Sequence, residues 1–468
     1  MDGAPASSRQ AYGRCHASPS TRIQQSPGKK SMSANKRFAS PIKTESIMSN
    51  IKVLKFGGSS VKNIGRIEHV ADIIASYKPH PVVVVVSAMG DTTDHLLSLA
   101  KQCTKNPDQR ELDLLLSTGE QVSIVLLSLI LKKKGLTAKS LTGQQAGICT
   151  TDDHGSARIL GINSELIKNE LFENDVVVVA GFQGVTDGGQ ITTLGRGGSD
   201  TTAVALAAAL NANECDIYTD VDGVFTADPN VIKEAVPLKE IAYAQCVTLA
   251  KNGAQVIHPR AVELGEQYDI VVRVRNTFNP SDRGTEIKGE NEVERQKQFC
   301  GVAVDSKHGF ISISKSEESS NLLREITECI SDCGINIENI RKSNSIDNGA
   351  KCATIQICFQ YNDEDRVVDA ISALSKKDEE VRVSAELDLC KVTLVGCDEQ
   401  GNAPASVKLI GCLESNGIEV KSVHTGALAI SCLIQKSDAQ RAARLIHEEF
   451  KLANEFDSTT SDELCLIA

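Results

Sequence analysis

The chain of 468 residues contains no tryptophan, only 4% aromatic residues and four methionines. It also lacks any apolar run near the ~18 residues that a membrane-spanning helix needs. Its longest apolar runs, Val82 to Val86 and Val176 to Ala180, have the length of buried strands. Otherwise the composition is that of an ordinary globular protein, so we expect two to four domains, at about 100 to 200 residues each, and no membrane partner.

The fifteen cysteines lack the spacing of a metal or disulfide site. They are scattered and odd in number, and no C-x-x-C pair has a second cluster that would complete a zinc site. We interpret them as reduced thiols, which indicates a reducing compartment.

Positive charge is scarce outside the N-terminus. The first 47 residues hold eight basic and two acidic residues, which leaves 42 basic and 59 acidic residues, a formal charge of −17, on the rest. An acidic body argues against nucleic acid as a partner.

Residues 1–47 are rich in serine, proline, lysine and arginine and show no hydrophobic periodicity, which is typical of disorder. One interpretation is an organellar transit peptide, which would place the protein in a plastid. The other, which we favour because no amphipathic face is evident, is upstream sequence before a true start at Met48. In that case we expect a cytoplasmic protein.

The region 48–290 alternates apolar strands with helical segments. Strands are predicted near 51–56, 82–87, 137–141, 176–181, 215–219 and 270–274. Helices are predicted at 64–77, 91–103, 110–134, 155–170, 199–212 and 240–252. This alternation predicts an α/β fold with a mostly parallel sheet covered by helices on both faces, and a ligand site at the carboxyl ends of the strands.

Residues 300–386 and 387–468 repeat a smaller layout. The phrases C-G-I-N-I at 333–337 and N-G-I-E-V at 416–420 lie at matching points, 83 residues apart. The spacing predicts a duplicated βαββαβ unit. Helices are predicted over 321–333, 363–375, 404–416 and 439–450. Whether a strand near 300–305 belongs to the first unit or completes the second stays open.

The first predicted strand ends in Lys55-Phe56-Gly57-Gly58-Ser59-Ser60. Two glycines let the backbone approach an anion, the next helix offers unpaired N–H groups, and the lysine adds a point charge. Because the G-x-x-x-x-G-K pattern is absent, this is not a Walker A loop. We interpret it as a site for nucleotide phosphates; the alternative is a glycine turn beside a surface lysine.

Two further motifs follow predicted strands. The sequence T-L-G-R-G-G-S-D-T-T at 193–202 precedes an alanine-rich helix. Ser199 or Asp200 can cap that helix, but capping does not explain an arginine flanked by glycines, which suits bidentate capture of a carboxylate. The loop Y-T-D-V-D-G-V-F-T-A-D-P-N at 218–230 is either a turn-rich connection or a site for adenine and ribose, with acids that help to place Mg²⁺.

Together these motifs resemble those of the aspartate kinases of the amino-acid kinase family, which carry paired C-terminal domains of the ACT type. The similarity runs from Ile51 to the C-terminus and includes S-A-M-G-D-T-T at 87–93, T-G-E at 118–120 and G-F-Q-G at 181–184. The resemblance implies ATP-dependent phosphorylation of the L-aspartate β-carboxylate with Mg²⁺, the first step of lysine, threonine and methionine biosynthesis.

The resemblance also implies the site residues. The predicted catalytic residues are Lys55, Arg196 and Asp200. Those predicted to bind ATP are Lys55, Phe56, Gly57, Gly58, Ser87, Thr219, Asp220, Phe225, Thr226, Ala227, Asp228, Pro229 and Asn230. Those predicted to bind aspartate are Ser59, Thr93, Glu120, Arg196, Gly197, Gly198 and Ser199. No protein ligand is assigned to the metal.

The implied chemistry needs no general base, because the aspartate β-carboxylate, with a reference pKa of about 3.9, is already ionised at neutral pH. By resemblance, Lys55 and Mg²⁺ neutralise the phosphates, while Arg196 binds the α-carboxylate and Glu120 the α-ammonium group. One departure is Gln255, where many family members have lysine; whether Lys251 compensates stays open.

The regulatory half departs further from the family pattern. The first effector loop, 314–320, lacks Pro-Gly and reads S-K-S-E-E-S-S; Lys342-Ser343 replaces Gln-Asn; and 402–405 reads N-A-P-A in place of the His-Pro-Gly region. Added acids and lost glycine weaken contact with an effector carboxylate. We therefore predict weak, altered or absent feedback by lysine or threonine, and a homodimer joined through the ACT domains.

Two other functions compete. One is another amino-acid kinase acting on glutamate or acetylglutamate, although those enzymes lack the tandem ACT arrangement. The other is a catalytically silent amino-acid sensor, against which the intact Lys55, Arg196 and Asp200 argue.

Overall fold

The computed structural model describes residues 50–254, 256–293, 298–315, 323–324, 326–328, 336–347, 350–361, 381–396 and 402–454. The segment 1–47, the predicted helix 363–375 and most of the predicted helix 321–333 lie outside these residues. The described helices are α1 (Ile64–Ala75), α2 (Thr92–Cys103), α3 (Gln109–Leu116), α4 (Thr118–Lys133), α5 (Ser164–Glu173), α6 (Gly198–Ala209), α7 (Tyr243–Lys251), α8 (Pro259–Tyr268), α9 (Asn402–Ser415) and α10 (Ala439–Glu449).

Strands fall into three sheets. The first twelve are β1 (Lys52–Phe56), β2 (Val82–Val86), β3 (Ala138–Leu141), β4 (Ile148–Thr150), β5 (Ile159–Ile162), β6 (Val176–Ala180), β7 (Gln183–Val185), β8 (Ile191–Thr193), β9 (Glu214–Thr219), β10 (Glu240–Ala242), β11 (Val271–Asn276) and β12 (Thr285–Lys288). The last six are β13 (Phe299–Lys315), β14 (Asn336–Asp347), β15 (Ala350–Gln360), β16 (Val381–Gly396), β17 (Ser422–Thr425) and β18 (Ala429–Gln435).

The central sheet has the strand order β10-β12-β11-β9-β1-β2-β6-β3. From β11 to β3 all neighbouring strands are parallel, and only β12 runs antiparallel to its neighbour β11. Every residue of β2 and β6 is buried, as expected for strands covered on both faces. The predicted mostly parallel α/β sheet is confirmed.

Alternate residues of this sheet face two separate cores. Val83 and Val85 pack into a core with α6, α7 and α8, whereas Val82, Val84 and Val86 pack against α1 and α4 on the other face. Because α6 is buried all round, its alanine-rich sequence lets it lie close to the strands.

Some local predictions were wrong. The helix predicted at 110–134 is interrupted at Ser117, and the first part of the helix predicted at 155–170 is strand β5, which pairs with β4. The segment 240–242 is a strand before α7 begins. Helix α8 was not predicted. A small sheet, β5-β4-β7-β8, was not predicted either, because strands of three or four residues carry too little periodicity to recognise.

The C-terminal sheet has the order β14-β15-β13-β16-β18-β17. Its long strands serve both halves: residues 299–305 of β13 pair with 391–396 of β16, and residues 308–315 pair with β15 and with 381–389. The shift in register between Asp305 and His308 marks the change of partner. The strand near 300–305 is therefore joined, through residues 391–396 of β16, to β18 and β17 in the same sheet.

Helices α3 and α4 together, residues 109–133, are long and apolar enough to be considered a membrane span by length and composition. More than half of this apolar stretch is buried, with Leu127 and Leu131 in the core beside β2 and β6. The packing is that of a core helix, for which the same length and composition are equally typical.

Candidate functional site

The carboxyl ends of β1, β2, β6 and β9 lie side by side and bring the predicted motifs to one edge of the sheet. The Gly57 N–H donates to the Tyr218 carbonyl at 3.2 Å, and the Ser87 N–H donates to the Phe56 carbonyl at 3.1 Å. The Gly181 N–H makes the same kind of bond at the end of β2. A site at the strand ends is where a parallel sheet holds its ligand.

An ion pair lies at the centre of this edge. Lys55 Nζ, at the end of β1, lies 2.6 Å from Asp200 Oδ1, in the first turn of α6, and each side chain is only 11% exposed. An acidic residue in that turn is favoured by the helix dipole. The prediction that Ser199 or Asp200 caps this helix was wrong. The N-cap residue is Gly197, and no side chain forms a capping hydrogen bond there.

The two glycines after β1 lie where the chain passes close to other atoms. A Cβ on Gly58 would lie 2.9 Å from the Ala88 carbonyl oxygen, and one on Gly57 would lie 3.4 Å from Lys55 Nζ. Glycine at these two positions lets the backbone pass this close to its neighbours beside the Lys55 ammonium group, and a glycine turn of this kind at the end of a parallel strand suits the phosphates of a nucleotide. Ser59 is half-buried in the same turn, with its carbonyl held by Arg66.

Glu120, near the start of α4, is 3% exposed. Its Oε1 accepts a hydrogen bond from the Ala88 N–H at 3.1 Å, while Oε2 is buried and has no hydrogen-bond partner among the described residues. Burial raises the pKa of this carboxyl to about 7, against two backbone hydrogen bonds that lower it. A buried, unpartnered carboxylate oxygen is suited to receive a cationic group.

The loop before α6 presents Arg196 to solvent between two glycines in the left-handed region, Gly195 (φ 76°) and Gly197 (φ 65°). Arg260 fixes the base of this loop by donating to the Leu194 carbonyl at 3.3 Å. His258 packs so closely on Gly197 that a Cβ there would lie 2.2 Å away.

His258 caps helix α8, because its Nδ1 accepts a hydrogen bond from the Arg260 N–H at 3.3 Å. Burial lowers the pKa of this imidazole, which keeps it neutral and able to accept that bond. In the described structure His258 thus caps α8 and packs on Gly197.

Asp113, on α3, is a supporting residue that the motifs did not reveal. It is 1% exposed and accepts hydrogen bonds from the Gly155 N–H at 3.0 Å, from His154 Nδ1 at 2.8 Å and from the Thr193 hydroxyl. Asp113 thereby joins the start of the loop that carries Arg196 to the loop at 151–158. No sequence signal marked it, since an acid on an amphipathic helix normally faces solvent.

Two residues predicted to bind ATP, Thr226 and Ala227, have buried side chains. Thr226 is fully buried and Ala227 is 6% exposed, and Ala227 lies in the core formed with α9 and α10. The loop that carries them packs against the C-terminal half of the chain. Phe225 is half-buried against the same core, whereas Asp228, Pro229 and Asn230 are exposed.

The remaining predicted residues differ in how closely the structure ties them to this edge. A Cβ on Gly181 would lie 2.7 Å from Ser199 Oγ, so Ser199 packs against the end of β6; Gly198 precedes it in α6. Thr219 is the last residue of β9, and its hydroxyl donates a hydrogen bond to the carboxylate of the next residue, Asp220, at 3.2 Å. Thr93 lies half-buried in the first turn of α2.

Lys251 Nζ forms an exposed ion pair with Glu263 at 2.7 Å, on the surface between α7 and α8. Gln255 lies outside the described residues. In the described part of the chain, no group of three or more acidic, histidine or cysteine side chains is placed to hold a metal ion. Asp200 and Asp220 are carboxylates at this sheet edge, and one or two carboxylates are what a Mg²⁺ ion held mainly by nucleotide phosphates commonly uses.

Comparisons with known proteins agree with this geometry. The amino acid kinase family matches residues 50–276, and an ACT domain matches residues 392–450. The chain is 44% identical to the aspartokinase of Geobacillus stearothermophilus, over 86% of this chain and 98% of that protein. It is 40% identical to aspartokinase 2 of Bacillus subtilis (strain 168), over 86% and 98% respectively.

Solved structures show the same fold. The structure of E. coli aspartokinase III in complex with aspartate and ADP matches with a TM-score of 0.72 and 24% identity, over 86% of this chain and 99% of that chain. Its complex with lysine and aspartate matches with a TM-score of 0.66 and 25% identity, over the same shares. Since curated relatives this similar are matched along nearly their whole length, the chain belongs to the aspartokinase family.

Proposed function

We propose that the protein phosphorylates the β-carboxylate of L-aspartate with ATP, giving 4-phospho-L-aspartate. The observation that carries the proposal is the pairing, at one sheet edge, of the Lys55–Asp200 ion pair with a buried, unpartnered oxygen of Glu120. The Lys55 ammonium group contacts the phosphates, and the Glu120 oxygen receives the ammonium group of the substrate. The aspartokinase names of relatives at 40–44% identity support this substrate.

ATP is the phosphoryl donor in this proposal. Lys55 Nζ and the backbone at Gly57 and Gly58 hold its phosphates, and Thr219 and Asp220 lie on the nucleotide side of the sheet edge. Asp200 keeps the Lys55 ammonium aimed across the end of β1. When bound, Mg²⁺ supplies charge neutralisation on the transferring phosphoryl group.

Aspartate needs only to be held and aligned. Arg196 provides a planar fork for the α-carboxylate, presented by glycines on both sides, and Glu120 binds the α-ammonium group. The β-carboxylate is then left as the nucleophile, and the site accelerates the reaction by aligning two anions and offsetting their repulsion.

The experiment that tests the proposal is a hydroxamate assay for acyl phosphate, with aspartate and glutamate offered in parallel. We expect ATP-dependent hydroxamate from aspartate only, and its loss in Lys55→Ala. Product from glutamate, or none from either substrate, would contradict the assignment. The matched control is Lys62→Ala, an exposed lysine shortly after the glycine turn.

We further propose that feedback by lysine or threonine is weak. The E. coli relative was solved with lysine, but this chain replaces several expected effector residues. Lys342 and Ser343 are exposed on β14. The Asn402 amide donates to the Gly426 carbonyl at 2.8 Å, so it holds the start of α9 to the chain before β18. The loop 316–320 lies outside the described residues.

A cavity of about 410 Å³ between α7 and the C-terminal sheet supports weak feedback. Its only lining acid among the described residues, Glu338, is bound by Lys391 and by His308 Nε2 at 3.2 Å. Burial alone would raise the pKa of Glu338, but hydrogen bonds from His308 and Lys391 outweigh it and lower the pKa to about 2. An effector ammonium would have to displace the chain's own lysine.

Steady-state assays with each amino acid at millimolar concentration test this proposal. We expect little inhibition, and strong inhibition by micromolar lysine or threonine would overturn it. We also propose a homodimer joined through the ACT domains, which light scattering after gel filtration would test. The compared relatives are bacterial, which favours a cytoplasmic enzyme over a plastid one.

A further inference from the structure

Part of the proposed nucleotide site is built into the C-terminal half of the molecule. After β9 the chain folds back on itself, with the Thr226 N–H bonded to the Val236 carbonyl at 3.0 Å and the Leu238 N–H to the Val224 carbonyl at 2.8 Å. We call residues 224–238 the bridging loop. It begins five residues after Thr219 and contains Phe225 and the exposed residues 228–230.

Thr226 joins this loop to two elements of the C-terminal half. Its carbonyl accepts a hydrogen bond from the Val302 N–H of β13 at 2.8 Å. Its hydroxyl accepts one from the Val236 N–H at 3.1 Å and is hydrogen-bonded to His447 Nε2, on α10, at 2.9 Å. Thr226 is 0% and His447 2% exposed, so water does not compete for the bond.

Neighbouring contacts hold the loop in the same place. Ala227, Ile232 and Ala235 pack in one core with α9 and α10. Arg444, one turn before His447 on the same helix, donates to the Val231 carbonyl at 3.2 Å. Within 225–230, the residues exposed to solvent are Asp228, Pro229 and Asn230. Because the loop on both sides of this exposed turn contacts α10, through Thr226 and Val231, α10 determines the position of the turn.

We infer that His447 is a positioning residue for the nucleotide: through the Thr226 hydroxyl it fixes the bridging loop, which follows β9 in the chain. The inference rests on the proposed function, since it takes ATP as the ligand of this edge. His447 lies in the core of the C-terminal half and acts only through Thr226. The affinity for ATP is thereby coupled to the position of α10. The affinity for the substrate aspartate, which is bound by residues on α4 and α6, is not coupled to it.

The test uses the full chain and substitutions that keep side-chain shape. Thr226→Val removes the hydroxyl, and His447→Leu removes the imidazole nitrogens. We expect each to raise the KM for ATP about tenfold, because part of the binding free energy then goes to ordering the loop, while the KM for aspartate stays within about twofold. Combining them should add little, because both remove the same bond. The control is Gln440→Ala, at an exposed position of α10.

A purely structural role would behave differently. It would lower Tm and the amount of active enzyme, but would leave both KM values unchanged or raise them equally, and either result would overturn the inference. Thr226→Ser, which keeps the hydroxyl, should restore the KM for ATP; failure to do so would also contradict it.

Direct binding separates this inference from the proposed function. If the wild-type protein makes no acyl phosphate from aspartate, the proposed substrate is wrong, and calorimetric titration with ADP and Mg²⁺ still tests the coupling. Weaker ADP binding by Thr226→Val than by wild type and Gln440→Ala would support it, and equal binding by all three would refute it.

Discussion

Replacing Glu120 with glutamine should make the free protein more stable and the enzyme worse. The substitution keeps the size of the side chain and the acceptor that binds the Ala88 N–H, but removes a negative charge from a site that is 3% exposed. Stability and aspartate binding should therefore respond in opposite directions, as expected where a site is kept polar for its ligand.

The stability effect follows from the pKa of Glu120. Burial raises that pKa from 4.5 to about 7, so between these values the folded state holds a proton that the unfolded state has lost. Stability then falls as pH rises through this window, and above about pH 7 ionised Glu120 costs on the order of 3 kcal/mol. Below pH 4.5 both states are protonated and the cost disappears.

Thermal unfolding of wild type and Glu120→Gln at pH 5 and pH 8 measures this effect. We expect the variant to gain a few °C in Tm relative to wild type at pH 8, and much less at pH 5. Glu173→Gln, at an exposed position, is the control and should shift Tm at neither pH. A gain for Glu120→Gln that is the same at both pH values would refute the buried-charge argument.

The kinetic effect has the opposite sign. Loss of a charged hydrogen bond to the substrate ammonium group should raise the KM for aspartate about 10- to 100-fold at pH 8. The wild-type KM for aspartate should rise as pH falls below 7 and Glu120 becomes protonated, whereas that of the variant should not follow this titration. An unchanged KM for aspartate at pH 8 would refute the assignment of Glu120 to the ammonium group.

Four other substitutions test separate parts of the site. Lys55→Ala should lower kcat roughly 10²- to 10³-fold, far more than it weakens aspartate binding, and a normal kcat would contradict its role on the phosphates. Arg196→Lys should raise the KM for aspartate about tenfold through loss of the planar fork; unchanged affinity would argue against a carboxylate clamp. Gly58→Ala should raise the KM for ATP several-fold, because its Cβ would lie 2.9 Å from the Ala88 carbonyl oxygen. Asp113→Ala should destabilise the protein by about 3 kcal/mol, measured by denaturant unfolding, since buried donors lose their acceptor.

The sequence predicted the architecture well where elements are long. Five-residue apolar runs bounded by polar residues are typical of buried parallel strands, so β2 and β6 were recognisable from the sequence. Short elements were not, as β5 shows: it is held as a strand by pairing with β4 rather than by its own pattern. Tertiary contacts decided the structure there.

The site was predictable to the extent that glycine motifs follow strands. Lys55 was proposed from its local pattern and Asp200, 145 positions later in the chain, from the resemblance to aspartate kinases, and the structure pairs them. Asp113 and the burial of Thr226 could not be predicted, because both depend on contacts between distant segments. The partner of Thr226 is 221 residues away in the sequence.

That separation has a consequence for biosynthesis. A ribosome adds about 5 to 20 residues per second, so His447 is added roughly 10 to 45 s after Thr226. Residues 299–305 of β13 likewise wait for 391–396 of β16, which are made later. The nascent kinase region can therefore build its central sheet early, but its bridging loop can be completed only when almost the entire polypeptide has been made. A chain released early would carry Lys55, Glu120 and Asp200 without the support that the last helix gives.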